Sequence, residues 1–244
     1  VSRRGAPRVR ALPLVAAGRA RSWRGRGRRW AGPAPVLVVG DGDTAVLFAA
    51  GRGVRSATAR ALYGTFPVFR GEFDAVCRVL DAGLPLPLAA VVFAPEGGVD
   101  ARLLRREEFG RAALFAYEVA LYRTWQDWGV RIGVVAGHGI GGLVAAHVAG
   151  LLDLDEAARR AVSHRRVPAR GGVRGAPGER TLRAAGLRLL WCGPGPEGPV
   201  EVGHVPALLA AVAALQLGGP PIDWEALWCA RQRPAVLQPV GDGP

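Results

Sequence analysis

Lysine is missing from this chain, and so is methionine. Every basic side chain other than histidine is arginine, and alanine and glycine abound, a bias that reflects GC-rich bacterial coding rather than selection for phosphate contacts. With no methionine even at position 1, a piece of a longer polypeptide or a processed chain is expected. Cysteine is scarce. Cys77, Cys192 and Cys229 are odd in number, far apart and without metal-ligand spacing, so no metal is expected and the thiols belong to a reducing, cytoplasmic compartment. No apolar run approaches the ~20 residues that span a bilayer, so no membrane association is expected. Acids are absent from residues 1–40, which hold ten arginines before Asp41. Those ten account for most of the formal net charge of +12, leaving about +2 on the other 204 residues. The basicity therefore belongs to a Gly/Pro-broken arm or linker, residues 1–35, and nucleic acid is not expected as a partner. Trp23 and Trp30 in that arm are expected to dock on a neighbouring domain rather than to stack on bases. Ser2-Arg3-Arg4 before Ala11–Ala17 is a poor twin-arginine export signal, because the apolar piece is short and Arg19 and Arg21 follow at once.

What is present is a chain of 244 residues, half of them apolar, enough to bury a sizeable core. Val36–Gly40 and Thr44–Ala49 are β-branched or apolar runs and predict strands, the second buried on both faces. Ser56–Tyr63 and Pro67–Leu80 predict helices, the latter amphipathic through Phe69, Phe73, Val76 and Leu80. Phe109–Trp128 predicts a long helix, with Leu114, Tyr117, Leu121 and Trp125 at three- and four-residue spacing. Asp153 predicts the cap of a further helix, with Glu156 as its reciprocal partner, ending near Arg166 before Pro168. Residues 168–186 are Gly/Pro/Arg-rich and expected to be irregular. Leu187–Trp191 predicts a strand, and Pro206–Leu217 and Ile222–Trp228 predict helices. Trp125, Trp128, Trp224 and Trp228 are expected in packing. The alternation implies an α/β fold with a mostly parallel sheet.

Residues 131–150, RIGVVAGHGIGGLVAAHVAG, carry the strongest signal. An apolar strand, Ile132–Ala136, meets the turn Gly137-His138-Gly139, and a helical run, Ile140–Ala149, follows. Strand, sharp turn and helix in that order mount a serine in G-x-S-x-G enzymes. Here Gly139 stands at the tip, where it supplies no nucleophile. Gly137, Gly139 and Gly142 also spell the dinucleotide-binding pattern G-x-G-x-x-G. That pattern wants an acid about 20 residues on, at the end of a second strand. Asp153, Asp155 and Glu156 fall in that window and start a helix instead, which makes the dinucleotide reading the weaker alternative.

Outward from this turn the chain resembles the acyltransferase domains of modular polyketide synthases, relatives of the malonyl-CoA:acyl-carrier-protein transacylases. The segments that carry the resemblance are TAVLFAAGRG (44–53), LYGTFPVFRGEFDAVCRVL (62–80), ALFAYEVALYRTWQDWGV (113–130) and AGHGIGGLVAAHVAGLLDLDEAA (136–158). LWCGPGP (190–196) and PPIDWEALW (220–228) extend it towards the C-terminus. The resemblance implies a nucleophile-elbow α/β large subdomain spanning 36–230, followed by a linker at 231–244. It also implies a ping-pong transfer in which a serine takes acyl from coenzyme A and passes it to a carrier protein.

Position by position, the implied site is altered. Gly139 stands at the serine and Gly142 at the elbow glutamate. Arg52 stands at the glutamine of the oxyanion turn and Arg111 at the glutamine before the long helix. His164 stands at the arginine that pairs the extender carboxylate. His138 keeps its place before the tip, Gly137 and Gly141 keep the elbow, and His147 is expected as scaffold. Backbone N–H groups of Ile140 and Arg52 are the implied oxyanion donors. The ferredoxin-like small subdomain that normally brings the general-base histidine is expected to be missing or reduced to the loop 168–186. His204 lies past where that base belongs. The expected function is a catalytically inactive acyltransferase domain without cofactor. Its role would be structural or docking, towards a neighbouring ketosynthase, an acyl carrier protein or a trans-acting acyltransferase. The alternative is residual or altered acyltransferase or thioesterase chemistry, with Cys192 or His164 as its candidate group.

Overall fold

A computed structural model describes residues 36–48, 54–95, 97–163, 182 and 186–192. The arm at 1–35, Arg52, His164, His204, Trp224, Trp228, Cys229 and the helices expected at 206–217 and 222–228 lie outside the described residues.

Four strands form one sheet in the order β1-β3-β2-β4, with β1 at Val36–Val38, β2 at Thr44–Phe48, β3 at Ile132–Gly137 and β4 at Arg188–Cys192. β2 runs parallel to both β3 and β4, and β1 pairs antiparallel with β3. The sheet is thus mostly parallel, as its β-branched runs imply. Successive residues of a strand point to opposite faces. Val46 and Phe48 enter the main core, while Ala45 and Leu47 meet Val134, Ala136, Leu182 and Leu187 in a smaller apolar cluster. Both faces of β2 are covered, which is why it carries no polar alternation.

Helices α1 (Ser56–Thr65) and α2 (Pro67–Leu80) follow β2. Pro67 opens α2, where the missing N–H costs nothing and its fixed φ suits the first turn. The four residues of the expected α2 stripe, Phe69, Phe73, Val76 and Leu80, are all buried. Full burial of side chains of this size contributes roughly 1.5–3 kcal/mol each. Two short helices, α3 (Leu88–Val92) and α4 (Val99–Leu103), lie where the sequence shows no helical period, being too short to display one.

α5 spans Glu107–Asp127. Glu107 and Glu108 place negative charge in its first turn, favourable to the helix dipole. Its burial extends well beyond the Leu114, Tyr117, Leu121 and Trp125 positions. From Phe109 to Trp125 almost every residue is buried, because α2, α3, α6 (Ile140–Val148), α7 (Leu154–Val162) and β4 all pack around it. α5 is the central helix of the fold. Trp125 and Trp128 lie in the core as expected.

α7 departs from expectation in two ways. The carboxylate of Asp153 accepts a 2.7 Å hydrogen bond from the Glu156 N–H, as a cap should. The Glu156 side chain pairs with Arg159 and Arg160 instead of returning to the cap. Glu156 reaches forward because two guanidiniums stand three and four residues on, the spacing at which helical side chains meet. The helix also ends at Val162 rather than near Arg166, since Ser163 adopts extended backbone (φ −65°, ψ 140°).

Candidate functional site

The parallel register aligns Phe48, Gly137 and Cys192 at one edge of the sheet. The loops that leave the carboxyl ends of parallel strands are where α/β folds place their chemistry. Gly137 closes β3 at this edge, and two residues later Gly139 caps α6 with φ 54° and ψ −122°. That left-handed conformation is costly for any residue with a Cβ and is the geometry of a sharp strand-to-helix turn. The turn is tight because Gly137 lies against α6. A Cβ on Gly137 would fall on the backbone carbonyl of Gly141 and 2.8 Å from the Gly142 nitrogen. Gly141 and Gly142 are themselves buried in the first turn of α6.

The implied donor residue Ile140 opens α6, and the first N–H groups of a helix have no intrahelical acceptor. A backbone donor is therefore present beside a tip with no side chain. Arg52, the other implied donor, lies outside the described residues. So does His164, which follows the end of α7.

Arg111 is described, in the first turns of α5. Its Nη1 donates to Glu107 Oε1 at 3.1 Å and its Nη2 donates to the Ser163 carbonyl. The side chain thus ties the start of α5 to the end of α7, beside His164 in sequence.

Glu118 was not singled out from the sequence. It is fully buried on α5, one of few buried polar side chains among the described residues. The signal was its place inside the apolar run ALFAYEVAL, where a solvated acid has no reason to be. The Cys192 thiol donates to the Glu118 backbone carbonyl at 3.7 Å. Burial pushes the Cys192 thiol well up, and the Glu118 charge adds to that. Burial likewise raises the Tyr117 hydroxyl, with Cys192 and Glu118 contributing. Only a thiolate attacks a thioester. Cys192 is held as a thiol with no exposure to solvent, which removes the support for it as a substitute nucleophile.

His147 serves as scaffold. Its Nδ1 lies 3.1 Å from the Leu152 carbonyl and its ring packs 5.9 Å from that of Phe115. His138, beside the tip, is half-buried. Burial lowers the pKa of both below the ordinary 6.5. The unfolded chain then takes up protons at higher pH than the folded one. The stability these groups contribute is fully present above about pH 6.5 and is lost as pH falls through their folded values. The thermal midpoint is expected to drop between about pH 8 and about pH 5, and His147→Gln should reduce the drop. An identical drop in wild type and variant, measured by circular dichroism, rejects this assignment.

The dinucleotide reading loses its last requirement in this geometry. Asp153 caps α7, Asp155 and Glu156 lie in its first turn, and β3 is followed by two helices without an intervening strand.

Residues 49–195 match the acyl transferase domain family. Polyketide synthase GfsA of Streptomyces halstedii is 46% identical over 126 residues, 52% of this chain and 2% of that protein. Spectinabilin polyketide synthase system protein NorB of Streptomyces orinoci is 38% identical over 148 residues, 58% of this chain and 7% of that protein. Among solved structures, the acyltransferase domain from the second module of the salinomycin polyketide synthase is 39% identical. That match covers 50% of this chain and 27% of the other, with a TM-score of 0.44. The chain therefore spans only a few per cent of the length of the polyketide synthases it matches.

Proposed function

The chain belongs to the acyl transferase domain family, and from that premise we propose that it is a non-catalytic acyltransferase domain of a polyketide synthase. Its role is structural or docking, towards a ketosynthase, an acyl carrier protein or a separately encoded acyltransferase. The observation that carries this reading is Gly139: the tip of the elbow has φ 54° and ψ −122° and bears no side chain. An acyl-enzyme ester needs an oxygen there. The surrounding losses point the same way. Arg111 is engaged with Glu107 and Ser163. Only 25 residues separate α7 from β4, which supports the absence of the small subdomain and its base. Around this site the packing residues of α2, α5 and β2 remain buried, as in a domain that still has to fold.

Nucleophile and base act as a unit, and loss of either costs ~10⁶-fold in turnover in the subtilisin example. Incubation with radiolabelled malonyl-CoA, with and without carrier protein, is expected to give neither covalent label nor transfer. Clear loading overturns the proposal. Gly139→Ser tests whether the serine alone is missing. The variant is expected to lose about 1–3 kcal/mol, the cost of holding a residue with a Cβ in a sparsely populated positive-φ conformation, and to remain unlabelled because the base is not restored. Labelling of this variant would show that the rest of the site survives.

A further inference from the structure

We propose that the stripe formed by Val99, Arg102, Arg105 and Arg106, at the junction of α4 and α5, is a docking surface for an acidic helix of a partner protein. This gives the docking role a surface and rests on that role only in taking the partner to be a protein. α4 ends at Leu103, but Leu104 keeps helical backbone (φ −58°, ψ −19°). The Arg105 and Arg106 N–H groups then donate to the Arg102 and Leu103 carbonyls at 3.1 and 2.8 Å. The helical winding thus continues to Arg106. Residues three and four apart on such a path share a face, which groups Arg102, Arg105 and Arg106 with Val99, three residues before Arg102. Leu103 and Leu104 pack against the main core, so the stripe faces outward. All three arginines are exposed, and Val99 is 79% exposed.

The arrangement is unfavourable to the domain on its own. Like charges four residues apart on a helix repel. Arg106 is also the N-cap of α5 and makes no capping hydrogen bond. It places a cation where the helix dipole favours an anion. Nearby acids do not relieve this. Asp100 lies two residues from Arg102, a spacing at which helical side chains diverge. Glu107 is taken by Arg111, and Glu108 is half-buried. Among the described residues no side chain forms an ion pair with Arg102, Arg105 or Arg106. The stripe extends over about 10 Å, at 1.5 Å per residue. It matches a helix that carries carboxylates at one-turn spacing around an apolar residue. Guanidiniums take carboxylates bidentately, and Val99 favours a protein face over a phosphate backbone.

The test uses the full chain and two fluorescein-labelled peptides of one composition. One places glutamates at i, i+3, i+4 and i+7 around a leucine on one helix face; the other is its scrambled counterpart. The ten arginines before Asp41 attract both peptides alike. The readout is therefore the ratio of the two dissociation constants, from fluorescence anisotropy. The ordered peptide is expected to bind roughly fivefold more tightly, and the advantage to shrink between about 50 and about 300 mM salt. Arg105→Glu should abolish the advantage. Arg131→Glu, the same charge change at an exposed residue before β3, should leave it intact. Arg106→Ser should reduce the advantage yet raise the thermal midpoint by roughly 2–4 °C, because it supplies a cap and removes a repulsion. Equal affinity for the two peptides overturns the proposal, as does an advantage that survives Arg105→Glu or is lost equally in Arg131→Glu. A lowered midpoint in Arg106→Ser also overturns it, since the stripe would then serve the fold. A charge-matched oligonucleotide weakened more than the peptide by Arg105→Glu reassigns the stripe to nucleic acid. Malonyl labelling bears on Gly139 and the peptide ratio on the stripe, so the two readings fail separately.

Discussion

Gly137→Ala is expected to destabilise the domain by about 3 kcal/mol, at the upper end of the usual cost of overpacking. The added methyl group would coincide with the Gly141 carbonyl and approach the Gly142 nitrogen. Those neighbours are backbone atoms of the buried first turn of α6. No rotamer change relieves such a contact. Either the helix start moves away from the strand or the turn opens. Gly71→Ala provides the contrast. Gly71 lies within α2, and a Cβ there meets nothing within 4 Å. That substitution is expected to stabilise the domain by about 0.5–1 kcal/mol through helix propensity alone. Urea unfolding followed by circular dichroism measures both. A Gly137→Ala midpoint equal to that of wild type would show that the elbow is not packed as described.

The elbow was legible in the sequence because its constraint is local. A strand, two glycines flanking one residue and an apolar helix leave few other backbone paths, and the structure has that path at Gly137–Gly139. The strands β2 and β3 were legible for a related reason: β-branched runs bounded by turns have few alternatives. The start of α7 was half legible. A cap depends on residues three apart, so Asp153 could be seen, whereas the direction taken by the Glu156 side chain depends on which of several charges it meets.

What the sequence hides is set by tertiary contact. The spacing of Leu114, Tyr117, Leu121 and Trp125 suggests one apolar face, yet α5 is surrounded on nearly all sides. Alanine makes the difference. Ala112, Ala113, Ala116 and Ala120 let neighbouring helices approach closely and are all buried, though alanine is neutral in a hydrophobic pattern. Arg111 shows the same limit. The resemblance places it at an implied site position, but its tie to Ser163, 52 positions away, follows only from the packing of α5 beside α7. Glu118 has a local signal, its place inside ALFAYEVAL, but its complete burial follows only from the elements packed around α5.

The centrality of α5 makes Trp125→Ala the most damaging single truncation, with an expected loss of about 3–5 kcal/mol. Trp125 has no exposure to solvent and is among the largest fully buried side chains among the described residues. Its removal leaves a cavity that the surroundings cannot refill, because they belong to helices already in contact with one another. The indole Nε1 has no hydrogen-bond acceptor, so part of what Trp125 contributes by packing is offset by an unpaired donor. Trp125→Phe separates the two effects. It keeps a buried aromatic ring and removes the orphaned N–H, whose burial costs about 1–3 kcal/mol. Its expected cost is well under half that of the alanine variant. Since a domain of this kind has about 5–15 kcal/mol in total, Trp125→Ala should leave little folded margin and lower the soluble yield, while Trp125→Phe stays folded and measurable. Similar urea midpoints for the two variants would mean that the cavity does not account for most of the loss and that α5 tolerates local collapse. The Ser163 carbonyl that accepts from Arg111 would then be held by α7 on its own, independently of the packing at the far end of α5.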